Sequence, residues 1–338
     1  MRIELLLILS LFWLPTASTW AACSADAGQA DSIAPVFFVT DREQRTRKSS
    51  LDFGEQINDP MDRTTYGVIE PAGTDGGETG TGKADDARVL PERTYPEFQG
   101  LAQDLHSAVL RSERGGFVIF VHGCCVSFRE AVRQASRLCR QVNTPVIVYD
   151  WGSPYASYSG SLLSCPRSQE RFNSFMRSIA QEFPREKIAV VGLSMGNVLI
   201  DNFLLQHRPE EVGRTFDQVV FARADMDSIA FRSHVPKIVG HARKVFIYVD
   251  NYDPAINLSH LIRVFASPFH HGDRLGRLAI DFSSDQQVQV VDVSPLRLNH
   301  DLPCGVVSDL FASDGALPET GQYRYVELSS GLLQAQIK

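Results

Sequence analysis

A chain of 338 residues is long enough to bury one large core or two small ones. With 43% hydrophobic and 22% charged residues it has the composition of an ordinary globular protein, and its net charge of −7 offers no electrostatic footprint for nucleic acid. No internal repeat is visible.

The N-terminus reads as a leader rather than as fold. Met1-Arg2 precedes an apolar run from Leu5 to Leu14, followed by Pro15 and small residues through Ala22. About ten apolar residues are too few to span a bilayer but fit the central region of a secretory signal. Residues 1–22 are expected to be cleaved near Ala21 or Ala22, with 23–34 left as a linker and the chain exported to the periplasm or secreted. Trp20-Ala21-Ala22-Cys23 also looks like a lipoprotein box with Trp in place of the usual Leu. Lipid on Cys23 would anchor the protein to a membrane; an ordinary cleaved signal would leave that cysteine unmodified.

Val36–Thr40 and Tyr66–Glu70 read as two strands, the second ended by Pro71. Residues 72–88 are rich in Gly, Thr, Asp and Glu and read as a flexible loop. Within it, Gly77 to Lys83 matches most of a phosphate-binding loop. Ala84 stands where Ser or Thr would hold magnesium, and no buried strand precedes the first glycine, so a solvated loop is the better account.

From Phe117 the pattern is regular. Apolar runs recur at Phe117–Val121, Pro145–Tyr149, Ile188–Val191, Val219–Phe221, Val245–Val249 and Val288–Val293. They are mostly continuous rather than alternating, as in strands covered on both faces. Between them, Phe128, Ala131, Val132, Ala135 and Leu138 repeat at helical spacing, as do Phe172, Phe175, Met176, Ile179, Ala180 and Phe183. Strand and helix in alternation predict a doubly wound, mostly parallel α/β sheet, one domain over 35–338, with its chemistry just beyond the carboxyl ends of the strands.

The strongest motif is Gly192-Leu193-Ser194-Met195-Gly196, which joins an apolar strand to a helix starting near Asn197. That is a nucleophile elbow in the context that gives it meaning, and it points to an alpha/beta-hydrolase fold. In that fold the turn after the third strand and the residue after the nucleophile supply the oxyanion hole. The donors are then the backbone amides of Cys124, in His122-Gly123-Cys124-Cys125, and of Met195. A hydrolase serine needs a neutral imidazole and a buried carboxylate to fix its tautomer. His300 follows the last strand of the series, and Asp253 follows Val245–Val249, giving the order Ser194, Asp253, His300. Asp225, Asp227 and Asp250 are competing carboxylates, and a losing aspartate is expected to cap a helix.

His270-His271-Gly272-Asp273 invites a metal reading, but no further ligand cluster lies nearby, and a polar loop after an Ala255–Phe265 helix explains it. No metal and no cofactor is expected. Trp151–Ser168, rich in Ser, Tyr and Gly, is expected to overhang the site, either as a small lid or acyl-pocket wall or as a surface connection with no substrate role. Cys139 falls on an apolar helix face and is expected to be a buried thiol. Cys304, four residues after His300, is a candidate for a disulfide to Cys165, Cys124 or Cys125.

These stretches together resemble a bacterial group of alpha/beta hydrolases long catalogued as uncharacterised. The resemblance rests on Val36 through Arg42, Tyr66-Gly67, Val121-His122-Gly123 with Ser127-Phe128, and Tyr149-Asp150-Trp151-Gly152-Ser153. It continues through Gly192 to Gly196, Ala224-Asp225-Met226-Asp227, and Asp253 with Ser259, and covers roughly residues 35–310. The chain departs from the group's pattern at Cys124-Cys125, where a Tyr-Asn-like pair is usual, at Gly152 in place of proline, and at Asp301-Leu302 in place of Ser-Tyr. The resemblance implies hydrolase chemistry and little about substrate. The expectation is an exported serine hydrolase acting on small-molecule or lipid carboxylic esters. An acyltransferase using the same triad and a catalytically inactive envelope binding protein are the competing functions.

Overall fold

The computed structural model describes residues 34–47, 50–57, 64–69, 93–155, 157–213, 215–266, 272–280, 282, 285–313, 323–329 and 331–338. The expected leader over residues 1–22, Cys23, residues 72–88 with the Gly77 to Lys83 stretch, and His270-His271 lie outside them. Ile33–Lys338 forms one compact unit.

Apolar runs rich in Val, Ile and Phe become strands where both faces are covered. In chain order the strands are β1 (Val36–Thr40), β2 (Arg42–Arg47), β3 (Ser50–Ile57), β4 (Thr65–Ile69), β5 (Arg93–Tyr95), β6 (Gly116–Val121) and β7 (Val146–Asp150). They continue with β8 (Lys187–Leu193), β9 (Phe216–Ala222), β10 (Ala242–Val249), β11 (Val288–Asp292), β12 (Tyr323–Ser329) and β13 (Leu332–Ile337). The helices are α1 (Phe98–Arg111), α2 (Phe128–Val142), α3 (Tyr158–Glu182), α4 (Gly196–Gln206), α5 (Pro209–Val212), α6 (Ser228–Ile238), α7 (Pro254–Ala266) and α8 (Cys304–Ala312).

Eleven of the described strands form one sheet in the order β12-β13-β11-β10-β9-β8-β6-β7-β1-β4-β5. From β13 to β1 every neighbour is parallel. Antiparallel pairs close both ends, β12 on β13 and β4 between β1 and β5. β2 and β3 pair as a separate hairpin.

Strand side chains alternate between two cores. Phe117, Ile119 and Val121 of β6 face α1, α3, α4 and α6, whereas Val118 and Phe120 face α2 and α8. That three-layer arrangement is the mostly parallel α/β sheet expected from the sequence. The chain leaves β6 for β7 on one side and reaches β8 on the other, so the strand order reverses between β6 and β8. In such sheets the crevice at the reversal is where ligands bind.

Two expectations are corrected here. Trp151–Ser168 is not simply a surface connection: from Tyr158 it is the start of the 25-residue helix α3. Ser157 caps it, its hydroxyl accepting the Gly160 N–H at 3.1 Å, although Pro166 lies inside the helix. The Cys304 disulfide does not form, since Cys124, Cys125 and Cys165 are free thiols. Cys304 opens α8 and packs on the α2 side of the sheet, whereas Cys124 and Cys165 pack on the opposite face. Cys139 is a buried thiol, as expected.

Candidate active site

β8 is buried up to Leu193, and the chain then turns sharply at Ser194, whose φ of 53° lies in the left-handed region that side chains rarely adopt. The turn is held from below. Ser194 N–H donates to Ala222 O at 3.0 Å, and Asn197 Nδ2 bridges Ser194 O and Ala222 O at 3.0 and 3.1 Å. The flanking glycines answer to close approach. A Cβ on Gly196 would strike the Val121 and His122 carbonyls, and one on Gly192 would strike Asn197 and Ile200.

The loop after β6 passes directly over this turn: a Cβ on Gly123 would lie 3.1 Å from Ser194 Cβ and 3.7 Å from its Oγ. Neither the Cys124 nor the Met195 backbone N–H finds an acceptor on another described residue. The loop is clamped from the ends of β1 and β7. Arg42, buried after β1, donates from Nη1 to Ser153 O at 3.0 Å and from Nη2 to Val126 O at 2.7 Å, while its Nε holds Asp150 at 2.8 Å. Asp150 Oδ1 lies 3.0 Å from His122 Nε2, Trp151 Nε1 donates to His122 O at 2.8 Å, and Cys125 N–H donates to Ser153 Oγ at 2.7 Å.

His300 sits in the turn after β11, beside Asn299 at φ 52°. Its Nδ1–H donates to Asp253 Oδ2 at 2.7 Å, which leaves Nε2 as the basic nitrogen, and its side chain is 30% exposed. Asp253 is fully buried at the start of α7, where its Oδ1 accepts the Ala255 and Ile256 amides at 2.9 and 3.1 Å. Burial by itself would raise this carboxyl, but the hydrogen bond and charge of His300, the Arg223 guanidinium and the Ile256 amide outweigh it and hold it below the ordinary carboxylate range.

The other aspartates have different partners. Asp225 accepts Ser259 Oγ at 2.5 Å, Arg274 Nε at 2.7 Å and Tyr158 OH at 2.7 Å. Burial would raise it, and Arg274, Ser259 and Tyr158 pull it below the ordinary range instead. Asp227 caps α6 through the Ile229 and Ala230 amides. Asp250 pairs with Arg223 Nη2 at 2.9 Å. Among the described residues no cluster of three or more His, Cys, Asp or Glu could hold a metal ion.

Sequence reasoning missed Arg223. It follows β9 with φ 45°, is fully buried, and braces both partners of the imidazole pair. Nη1 donates to Asn299 O at 2.7 Å, beside His300, and Nε lies 3.7 Å from Asp253 Oδ2. The available signal was a charged residue directly after the continuous apolar run of β9. Arg42 enters the sequence reading only through the family resemblance, because nothing in its local pattern signals the clamp that it forms.

A solved structure described as "Crystal structure of ESTFA (FE-lacking apo form)" matches with a TM-score of 0.33 and 10% identity, over 82% of this chain and 74% of that chain. The search of curated proteins found no match. The family model described as "Alpha/beta hydrolase of unknown function (DUF900)" matches residues 99–306, from α1 into α8, and so takes in the elbow, the loop after β6, Asp253 and His300. The chain belongs to this family of alpha/beta hydrolases of unknown function.

Proposed function

We propose that the protein is a serine hydrolase of carboxylic esters that works through Ser194, His300 and Asp253. The observation that carries this reading is the 2.7 Å contact between His300 Nδ1 and buried Asp253, on a chain whose elbow presents Ser194 at the same edge of the sheet. His300 Nε2 takes the proton from Ser194 Oγ as it attacks the acyl carbonyl. The developing oxyanion is met by the Cys124 and Met195 amides, each worth a few kcal/mol of barrier. His300 then protonates the leaving alcohol, and water activated by the same nitrogen releases the acyl group. Asp253 keeps the proton on Nδ1 and stabilises the imidazolium.

The test is turnover of a p-nitrophenyl ester together with labelling by a fluorophosphonate probe, on wild type and Ser194→Ala. Wild type is expected to hydrolyse and label. The variant is expected to stay folded, fail to label and lose activity by on the order of 10^4–10^6. Equal turnover by the two proteins would remove Ser194 from the mechanism.

The same reading places the enzyme outside the cytoplasm, on the strength of the leader-like first 22 residues. Mass spectrometry of the mature N-terminus is expected to find it near Ala22 or Cys23. A diacylglyceryl group on Cys23 marks a lipoprotein, and an intact Met1 refutes export by this leader.

A further inference from the structure

Cys124 and Cys125 are adjacent on the loop that passes over Ser194, and the mechanism uses only the backbone amide of the first. Both thiols are half-buried, unlike the fully packed Cys139 and Cys165. They are consecutive in the chain, so their side chains leave the loop from neighbouring positions. The Ser161 hydroxyl and the Ser157 amide also face Cys125. Cys125 stands at a φ of 62°, so the backbone is already turned at the second of the two cysteines.

We propose that Cys124 and Cys125 form a reversible dithiol–disulfide site, closed by small-molecule disulfides and reopened by thiol reductants. The neighbouring Cys124 thiol, aided by Ser161 and the Ser157 amide, holds the Cys125 thiol below the ordinary range against the opposing effect of burial. The Cys125 thiol beside it, together with burial, pushes Cys124 well up. Cys125 is therefore the attacking thiolate. It displaces one thiolate from a disulfide R–S–S–R to give a mixed disulfide. Cys124, losing its proton to solvent, then attacks Cys125 Sγ and expels the second R–S⁻. Two protein thiols are oxidised to one disulfide, and R–S–S–R takes up the two electrons as two thiols.

Adjacent Cα atoms are about 3.8 Å apart. Unstrained disulfides span roughly 4.4–6.8 Å. The closed ring is accordingly strained and easily reduced, the property of a labile bridge rather than a structural one. Closing it reorients the Cys124–Cys125 peptide and breaks the 2.7 Å bond from Cys125 N–H to Ser153 Oγ that fixes the loop. The neighbouring Cys124 N–H is displaced with it. The expected cost is a fall in kcat of up to on the order of 10^2–10^3-fold with KM little changed. That consequence, unlike the ring itself, rests on the proposed oxyanion role of the Cys124 amide.

The experiment treats the reduced full-length chain with glutathione disulfide, alkylates the remaining thiols and digests with trypsin. The peptide Gly115–Arg129 holds both cysteines and no others. It is expected to escape alkylation and to be lighter by two hydrogens, with ester hydrolysis falling in parallel and both changes reversed by dithiothreitol. Cys124→Ser lacks the resolving thiol and should stop at a glutathione adduct on Cys125. A wild-type peptide that stays fully alkylatable, or that keeps a stable glutathione adduct, overturns the site. Should the ring fail to form while Ser194 still labels, the site falls and the hydrolase reading stands. A ring that forms with activity unchanged keeps the site and removes the Cys124 amide from the oxyanion hole.

Discussion

Asp225 and Asp253 are both buried at neighbouring strand ends, after β9 and β10, and both are held ionised, but by different partners. Asp253 meets an imidazole, whereas Asp225 meets Arg274, Ser259 and Tyr158. Neutralising the two should therefore have unlike effects. Asp253→Asn is expected to lower kcat by on the order of 10^4, because the imidazole loses the group that sets its tautomer. Asp225→Asn leaves Arg274 buried without its counter-charge and is expected to cost roughly 3–5 kcal/mol of stability, with a smaller loss of activity per folded molecule. Thermal midpoints and kcat measured on both variants check this, and a larger kcat loss for Asp225→Asn would move the acid to β9. Sequence alone could place His300 and Asp253 on converging loops, because in this fold each follows an apolar strand. It ranks Asp253 first by strand order alone, because the partners that tell the four aspartates apart lie up to 67 positions away, as from Tyr158 to Asp225. The clamp on the loop after β6 was illegible for the same reason: Arg42 and Asp150 are 108 positions apart and meet only because β1 and β7 are neighbours.

The strand–turn–helix element around Ser194 is constrained by what lies against it as much as by its own torsions. Gly196, the first residue of α4, packs on the Val121 and His122 carbonyls, so any side chain there pushes α4 away from the loop that supplies the Cys124 amide. Backbone cannot swing aside as a flexible side chain can. Gly196→Ala is expected to cost about 1–3 kcal/mol of stability and most of the activity. Gly240→Ala, whose new methyl meets only Pro209 Cγ at 3.1 Å, serves as the control and should leave both nearly unchanged. Chemical denaturation and ester turnover are the measurements, and equal losses for the two variants would mean that the close approach at Gly196 is not the constraint. Elements of this kind are legible when their own pattern is strong, and the runs of β6 to β11 are continuous and apolar. β2 reads Arg-Glu-Gln-Arg-Thr-Arg and gives no strand signal; its extended form comes from pairing with β3. The start of α3 was hidden by Ser, Gly and Pro166, residues that favour turns when no tertiary packing opposes them.

Across the whole molecule the two sheet faces are filled mainly by apolar side chains, so each ionisable group left inside ties stability to pH according to its partners. Asp41, fully buried after β1, differs from the paired aspartates of the site. Burial drives its carboxyl up to about 6; the Ser168 hydroxyl, Arg171 and Arg42 pull against this, and the charge of Asp150 adds to it. Arg171 Nη1 reaches the Asp41 carbonyl oxygen at 3.2 Å but stands 4.0 Å from the carboxylate, so the main attraction is to the backbone and survives loss of the acid. An acid whose folded pKa is raised costs stability above that pKa, and the cost is relieved as pH falls toward the unfolded value. For a shift from 3.8 to about 6 the cost at neutral pH is about 3 kcal/mol. Asp41→Asn removes it while keeping the shape and the Arg171 contact to the backbone. The variant is therefore expected to melt several degrees above wild type at pH 7–8, by the usual conversion of stability to midpoint. The gap should narrow as pH drops below about 6 and be small near 4, closing only below the unfolded value of 3.8, where the wild-type carboxyl is protonated in both states. Groups such as His241, whose protonation burial opposes, titrate alike in both proteins and cancel in the difference. Melting curves of the two proteins between pH 4 and 8 decide the matter: a gap that stays constant over that range would mean the Asp41 carboxylate is accommodated without cost.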